Sequence, residues 1–341
     1  MTTNRLRNPN RRWKVSAILF LAQTLLVGTL LAAGPEAQSG QVLWQAPADL
    51  EQRDLLNGPG GKKDQPADGP FQFVEEKLGG TNPKFTATDA SGVKWKVKLG
   101  AEARPETVAT RFVWAVGYFA DEDYFVQFAQ LVGVPRSNLQ RLNGWISKDS
   151  TITAARFERE FKAEKAHAQW AWRKNDFSGT RELNGLRILM ATLNNWDLKD
   201  ENNSVLRNKE SGRKTFEVSD LGATFGTNSY VAGHERSRGN LHAYEHSRFI
   251  THKTSDRVDF ATPGMPTWVL IFNPKQFIAR TRLRWIGRQI PRVDAKWMGI
   301  LLGRLSSAQI RDAFRSGGYS QEEVERYSQV VERRIAELNA L

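Results

Sequence analysis

Residues Val93-Lys94-Trp95-Lys96-Val97-Lys98-Leu99 alternate apolar and basic side chains one for one. That period of two predicts a strand with Val93, Trp95, Val97 and Leu99 on one face and lysines on the other. Phe71 to Val74 and Lys84 to Thr88 predict two earlier strands, joined by a glycine turn at Lys77-Leu78-Gly79-Gly80-Thr81-Asn82-Pro83. Pro105 to Gly117 predicts a helix, with proline in its first turn and glycine at its end. Two strand-like runs follow, Tyr124 to Gln127 and Gln130 to Val134. The charged, aromatic stretch from Arg156 to Trp172 predicts a helix, and Thr180 to Leu193 an amphipathic one.

Farther along, Ser204-Val205-Leu206 and Thr215-Phe216-Glu217-Val218 are short strands around the turn Asn208 to Arg213, so a hairpin is predicted. Thr267 to Phe272 reads as a buried strand or the start of a helix. Ser306 with Gln309, and Ser320 with Glu323, are capping boxes that open two closing helices. The pattern sums to a two-lobed α+β chain: a small β-rich lobe over 71–135 and a mostly helical lobe over 136–341. Residues 40–70, rich in Gly, Pro and Asp, predict a linker or a loop draped over the domain.

The first 39 residues are different. Arg5, Arg7, Arg11, Arg12 and Lys14 precede an apolar run from Val15 to Ala33, and small residues follow. That is the layout of an export signal or of a retained single anchor. Either way the remainder is expected outside the cytoplasmic membrane, periplasmic, secreted or held at the inner membrane. The 341 residues carry a net charge of +12 and no cysteine. Disulfides and thiolate chemistry are therefore excluded, and the charge favours anionic partners without choosing among them.

The hairpin carries the chemistry. Asp197 and Asn202 stand just before its first strand, and Asp220 just after its second. Antiparallel strands of similar length bring those outer ends together. A carboxylate that takes a hydroxyl proton, with an amide and a second carboxylate that hold Mg²⁺, is what phosphoryl transfer requires. Protein kinases write the pattern H-R-D-L-x-x-x-N and later D-F-G. Here Asp197-Leu198-Lys199 with Asn202 matches the first part and Asp220-Leu221-Gly222 the second. Asn195 stands in the histidine's place and Trp196 in the arginine's. Upstream, glycines let backbone N–H groups approach phosphates, and a strand lysine held by a helix glutamate can reach them. Lys98 and Glu106 are the candidates. Lys96 shares the face of Lys98, so spacing alone does not choose between them.

In this order the motifs resemble an atypical member of the protein-kinase-like superfamily. Gly80-Thr81-Asn82-Pro83-Lys84 resembles the glycine-x-x-Pro-Lys loop of HipA-type kinases. The D-x-x-x-x-N and the later Asp resemble both that family and the secretory-pathway kinases. The chain is also similar to a group of exported bacterial proteins with no assigned role. The G-x-G-x-x-G loop is absent. The resemblance implies a two-lobed protein-kinase-like fold and transfer from ATP, with Mg²⁺ or Mn²⁺, to a hydroxyl of a protein or glycan. It implies Asp197 as base, Lys199 at the γ-phosphate and Lys98 at the α- and β-phosphates. Gly79, Gly80, Lys84 and Glu106 would complete the nucleotide site, and Asn202 and Asp220 would hold the metal. Outside the cytoplasm ATP is scarce, so the alternatives are another phosphorylated donor or a non-catalytic pseudokinase-type binding module at the envelope. A binder of envelope or nucleic acid driven by charge is a third reading, with no specific nucleic acid expected.

After Gly222 the chain carries His234, His242, His246 and His252. His242 and His246 have the i, i+4 spacing of metal ligands on one helix face, with Glu235 and Glu245 nearby. A zinc site would need a further ligand. Arg280 to Arg288, basic and interleaved with tryptophan, predicts a solvated helix face or a surface for a membrane or an acidic polymer.

Overall fold

The computed structural model describes residues 1, 40–80, 82–160, 164–195, 197–227, 237–262, 267 and 269–341. The N-terminal run expected to act as signal or anchor lies outside the described residues. Among the described residues no helix is long and apolar enough to cross a membrane.

Residues 40–341 form one compact unit built as two lobes. Strand β1 (Gln41–Val42) begins it, far from the small lobe in sequence order of pairing: it runs parallel to a hairpin strand of the large lobe. The segment after it is draped over the large lobe and is part of its core. Leu43, Leu50 and Leu55 are buried, Trp44 Nε1 donates to Val116 O at 2.7 Å, and Gln309 Nε2 donates to Leu50 O at 2.8 Å.

The small lobe is a closed five-stranded barrel. Its strands are β2 (Phe71–Lys77), β3 (Lys84–Thr88), β4 (Lys94–Lys98), β6 (Asp123–Val132) and β7 (Thr151–Arg159), in the order β2-β3-β4-β7-β6. Helix α1 (Ala103–Ala115) and the short β5 (Phe119–Ala120) lie between β4 and β6 in the chain. Alternation explains the barrel: Phe85, Ala87, Trp95, Val97, Ala155 and Phe157 fill its interior. Lys96 and Glu158 are register partners on its other face, as are Lys98 and Arg156.

Two expectations are corrected here. The stretch from Arg156 to Trp172 is not helical: it supplies the end of β7 and then β8 (Glu164–Ala168). Arg156 and Glu158 lie on a sheet face rather than on the wet side of a helix. The small lobe also extends beyond residue 135, because β7 closes the barrel.

The large lobe starts with β8 and α2 (Arg181–Thr192), then the hairpin β9 (Asn203–Asn208) and β10 (Lys214–Val218). It continues through α3 (Leu241–Glu245), β11 (Ile250–Lys253), β12 (Arg257–Phe260), α4 (Val269–Phe272), α5 (Pro274–Leu283) and β13 (Ile290–Pro291). It ends in α6 (Arg292–Leu302), α7 (Ser307–Ser316) and α8 (Gln321–Asn339). The capping boxes at Ser306 and Ser320 form as read from the sequence. Of the two readings of Thr267 to Phe272, the start of a helix is the one that forms, as α4, and Leu270, Ile271 and Phe272 on it are exposed. The chain thus has a small β-rich lobe, with one helix beside it, on a mostly helical lobe.

Candidate functional site

Helix α2 delivers the first functional loop. Thr180 caps it by accepting from Leu183 N at 3.2 Å, and Leu183, Leu186, Ile188 and Leu189 are buried. The chain then turns through Asn194, whose φ of 57° is left-handed. Asn194 Nδ2 donates to Gly226 O at 2.6 Å, tying this loop to the one beyond the hairpin. Asn195 is buried, and its Oδ1 accepts from Asp197 N at 2.9 Å. An amide two residues before Asp197 therefore holds the Asp197 backbone.

The hairpin does what its register dictates. Val218 faces Asn203, so Asn202 and Ser219 meet, and Ser219 N donates to Asn202 O at 2.8 Å. Asn202 Nδ2 donates to Asp197 O at 2.8 Å, and Lys199 Nζ lies 3.0 Å from Asp197 Oδ2. Asp220 follows with φ of 53°, a conformation an L-residue adopts at a cost of about 1–3 kcal/mol and one that clusters at functional sites.

Lys98 projects from β4 into the cleft between the lobes. Its Nζ lies 2.7 Å from Glu106 Oε2 on α1, 2.6 Å from Asp220 Oδ1 and 3.6 Å from Glu102 Oε2. Lys96, on the same strand face, pairs with Glu158 at 2.6 Å instead. The choice that spacing left open is made by the register with β7. Burial pulls the Lys98 pKa down, but the carboxylates of Glu106, Asp220 and Glu102 outweigh it and hold the ammonium above its ordinary range. Burial likewise raises Asp220, and the Lys98 ammonium, with help from Arg156 and Lys84, more than reverses this. Glu102 is raised, by burial first and by Glu106 and Asp220 beside it. The oxygens of Glu102, Glu106 and Asp220 lie within 4.8 Å of one another.

Behind this cluster stands a second, which sequence reasoning missed. Arg156 is buried; it reaches Asp123 at 2.6 Å, Glu158 at 3.0 Å and Glu106 at 3.4 Å. Burial pushes the Asp123 carboxyl up to about 7, against the pull of Arg156. The signal was present in the period of two: Arg156 and Glu158 sit on one face of β7 and Phe157 on the other. Naming their partners required the strand register.

The glycine turn is fastened rather than loose. Gly80 has φ of 78°, and a Cβ there would meet Lys84 Nζ at 3.0 Å. Arg141 Nη1 donates to Leu78 O and Gly80 O, both at 3.0 Å. Glu76 accepts from the backbone N–H groups of Gln140, Arg141 and Leu142 at 2.7–3.0 Å. Gly79 is exposed, with open space where a side chain would go.

Lys84, Lys98, Glu106, Asn202 and Asp220 all line one cavity of about 310 Å³, with Arg156 and Glu158 in its wall. Asp197 and Lys199 are not among its lining residues; Asn202 connects them to it. A wider cleft of about 800 Å³ shares Lys96, Asp121, Glu158 and Ser204 with that cavity. Asn202 and Asp220 offer oxygen donors of the kind Mg²⁺ takes, and the Asp220 side chain is 47% exposed toward solvent. With two further carboxylates beside it, the donor set fits a hard divalent cation.

Of the histidines, His234 lies outside the described residues. His242, Glu245 and His246 have ligand atoms within 4.8 Å of one another, but Glu245 is held by Arg326 through contacts of 2.8 and 2.7 Å. His252, on β11, is exposed.

No family model and no curated protein matches the chain. Among solved structures, the crystal structure of a Helicobacter pylori proinflammatory kinase, CtkA, is similar at 12% identity and a TM-score of 0.45, over 80% of this chain and 97% of that one. A Golgi casein kinase with Mn/ADP bound is similar at 11% identity and a TM-score of 0.35, over 80% of this chain and 71% of that one. Scores this low carry no argument of their own; the lysine that bridges a helix glutamate and a loop aspartate is a feature of this chain's own geometry.

Proposed function

We propose that this protein is a phosphotransferase that moves a phosphoryl group from ATP to a hydroxyl of a protein or glycan outside the cytoplasmic membrane. One observation carries the reading: Lys98 on β4 pairs with both Glu106 on α1 and Asp220 on the loop after β10, in a cavity that Asn202 also lines. Phosphoryl transfer demands positioning and charge neutralisation more than covalent chemistry, and these residues supply both.

In the proposed reaction the acceptor oxygen attacks the γ-phosphorus as the bond to the β-phosphate oxygen breaks. The acceptor proton passes to Asp197 and ADP leaves. Glu106 fixes Lys98, which faces the α- and β-phosphates. Lys84 and the backbone of Gly79 and Gly80 close over the phosphates. Lys199, already 3.0 Å from Asp197, steadies the γ-phosphate. Asn202 and Asp220 would hold Mg²⁺, or Mn²⁺ in its place, which when bound neutralises charge on the β- and γ-phosphates. The test is transfer of labelled γ-phosphate to a panel of protein and glycan acceptors. Asp197→Ala should abolish it in a preparation that still binds nucleotide, and full transfer by that variant would sink the assignment of the base.

A second reading has its own support. The barrel side of the wider cleft is lined by Lys94, Lys96, Glu158, Arg159 and Glu160, whereas ligand pockets are ordinarily mostly apolar. A pseudokinase-type module that grips a charged ligand without transferring anything fits that wall. It predicts an intact fold with little Mg²⁺-dependent affinity for ATP.

A further inference from the structure

Helices α4 and α5 carry large apolar side chains that are exposed to solvent. Leu270 and Ile278 are each 45% exposed, Ile271 78% and Phe272 79%. Large aliphatic and aromatic groups at that exposure, side by side in sequence and on adjoining helices, are the ordinary mark of an interaction surface. Along the same stretch of chain the charge is of one sign. From Ala261 to Val293 the chain carries Lys275, Arg280, Arg282, Arg284, Arg288 and Arg292 and no acidic residue. Lys275, Arg282 and Arg288 are exposed. The flanking acids are engaged elsewhere: Asp259 Oδ1 accepts from Gln289 N at 2.7 Å, and Asp294 accepts from Asn184 at 2.7 Å in the core.

We infer that the α4–α5 surface docks onto an anionic lipid bilayer, with Ile271 and Phe272 entering the headgroup boundary and the basic side chains meeting lipid phosphates. Exposed apolar groups on a stretch whose only charges are Lys and Arg are the composition of an interfacial helix. Two other occupants fit less well. A second copy packing face to face would set like charges opposite one another. A nucleic acid would reward the arginines but not the exposed aliphatic groups. The surface is remote in sequence from the phosphotransfer residues, so it stands or falls independently of them.

The chain has no cysteine, so Ile271→Cys gives a single labelling site. The full chain, labelled there with an environment-sensitive fluorophore, is mixed with phosphatidylcholine vesicles or with vesicles that also contain phosphatidylglycerol. The label reads this surface and not the N-terminal segment. The expected result is a blue shift, and quenching by lipids brominated in the acyl chain, in the anionic vesicles only. Each basic side chain near such a surface is worth about fivefold in partitioning, so Arg282→Glu with Arg288→Glu, which removes two and adds repulsion, should weaken the local response by more than about 25-fold. A second label at Glu210→Cys, in the β9–β10 turn, should not respond. No shift in either vesicle overturns the inference, as does an equal shift in neutral vesicles. A label that shifts with heparin or DNA but not with lipid overturns it in favour of a polyanion surface. Melting curves of the charge-reversed variant matching those of the parent establish that both are folded.

Discussion

Replacing Lys98 by methionine keeps the side chain's length and removes its charge. The structure says what is left: Glu106, with a side chain 1% exposed and 2.7 Å away, then Glu102 at 3.6 Å, and Asp220, nearly half exposed and therefore screened by solvent. At an effective dielectric of about 20 the Lys98–Glu106 contact is worth about 6 kcal/mol of gross attraction, most of it offset by desolvation of both charges. Removing one partner of a buried pair nevertheless costs about 3–5 kcal/mol, because the other is left uncompensated. Arg156, 3.4 Å from Glu106, still compensates in part and places the expectation at the low end, about 3 kcal/mol. For a unit of this size that is a fall in Tm of about 5 °C.

The cost should also depend on pH. Without Lys98 the carboxylates repel one another unopposed, and Glu102, already raised by burial, loses the charge that pulled it down. Protonation then relieves the strain, so the variant gains stability relative to the parent as pH falls. Each unit below the raised pKa returns about 1.4 kcal/mol per proton taken up. Urea unfolding of parent and variant at pH 7.5 and pH 5 measures both effects. A cost of less than about 1 kcal/mol at both pH values is what a solvated surface pair would give, and would refute the account of a buried network.

Arg141→Ala releases two hydrogen bonds to the glycine turn, each worth about 0.5–1.5 kcal/mol net, so nucleotide affinity should fall several-fold with little change in Tm. Gly222→Ala would place a Cβ 2.5 Å from Glu102 Cβ, and the resulting shift at the start of α1 should cost about 1–3 kcal/mol and disturb nucleotide binding, read by calorimetry. Asp123, pushed up to about 7, keeps in the folded state a proton that the unfolded chain releases near pH 4. The unfolded state therefore binds fewer protons across that window, and stability should fall as pH rises from about 4 to about 7. The burial-raised Asp121 and Glu102 add the same sign. Urea midpoints should thus be lower at pH 7.5 than at pH 5.5, and a rise would contradict the burial of these carboxyls.

Much of this site was legible because its parts are local. The strand face that carries Lys96 and Lys98 follows from an unbroken alternation, and the placing of Asp197, Asn202 and Asp220 from a hairpin whose strands match in length. The capping boxes at Ser306 and Ser320 are four-residue signals that need no tertiary context. What failed was long-range. Arg156 and Asp123 are 33 residues apart and meet only through the pairing of β6 with β7. The same ignorance of register turned β7 and β8 into a helix, since charged residues on a sheet face and on a wet helix face look alike in composition. Thr267 to Phe272 reads as a buried strand or the start of a helix; the helix forms, and hydrophobicity alone does not say that its apolar side chains are exposed.

The central claim is a metal-dependent nucleotide site at Asp220. Titration of ATP into the full chain by calorimetry, with and without Mg²⁺ and beside Asp220→Ala, tests it without knowledge of the acceptor. The account predicts binding that needs both Mg²⁺ and Asp220. A well-folded parent that binds no ATP, or binds it equally without Mg²⁺ and without Asp220, would contradict it.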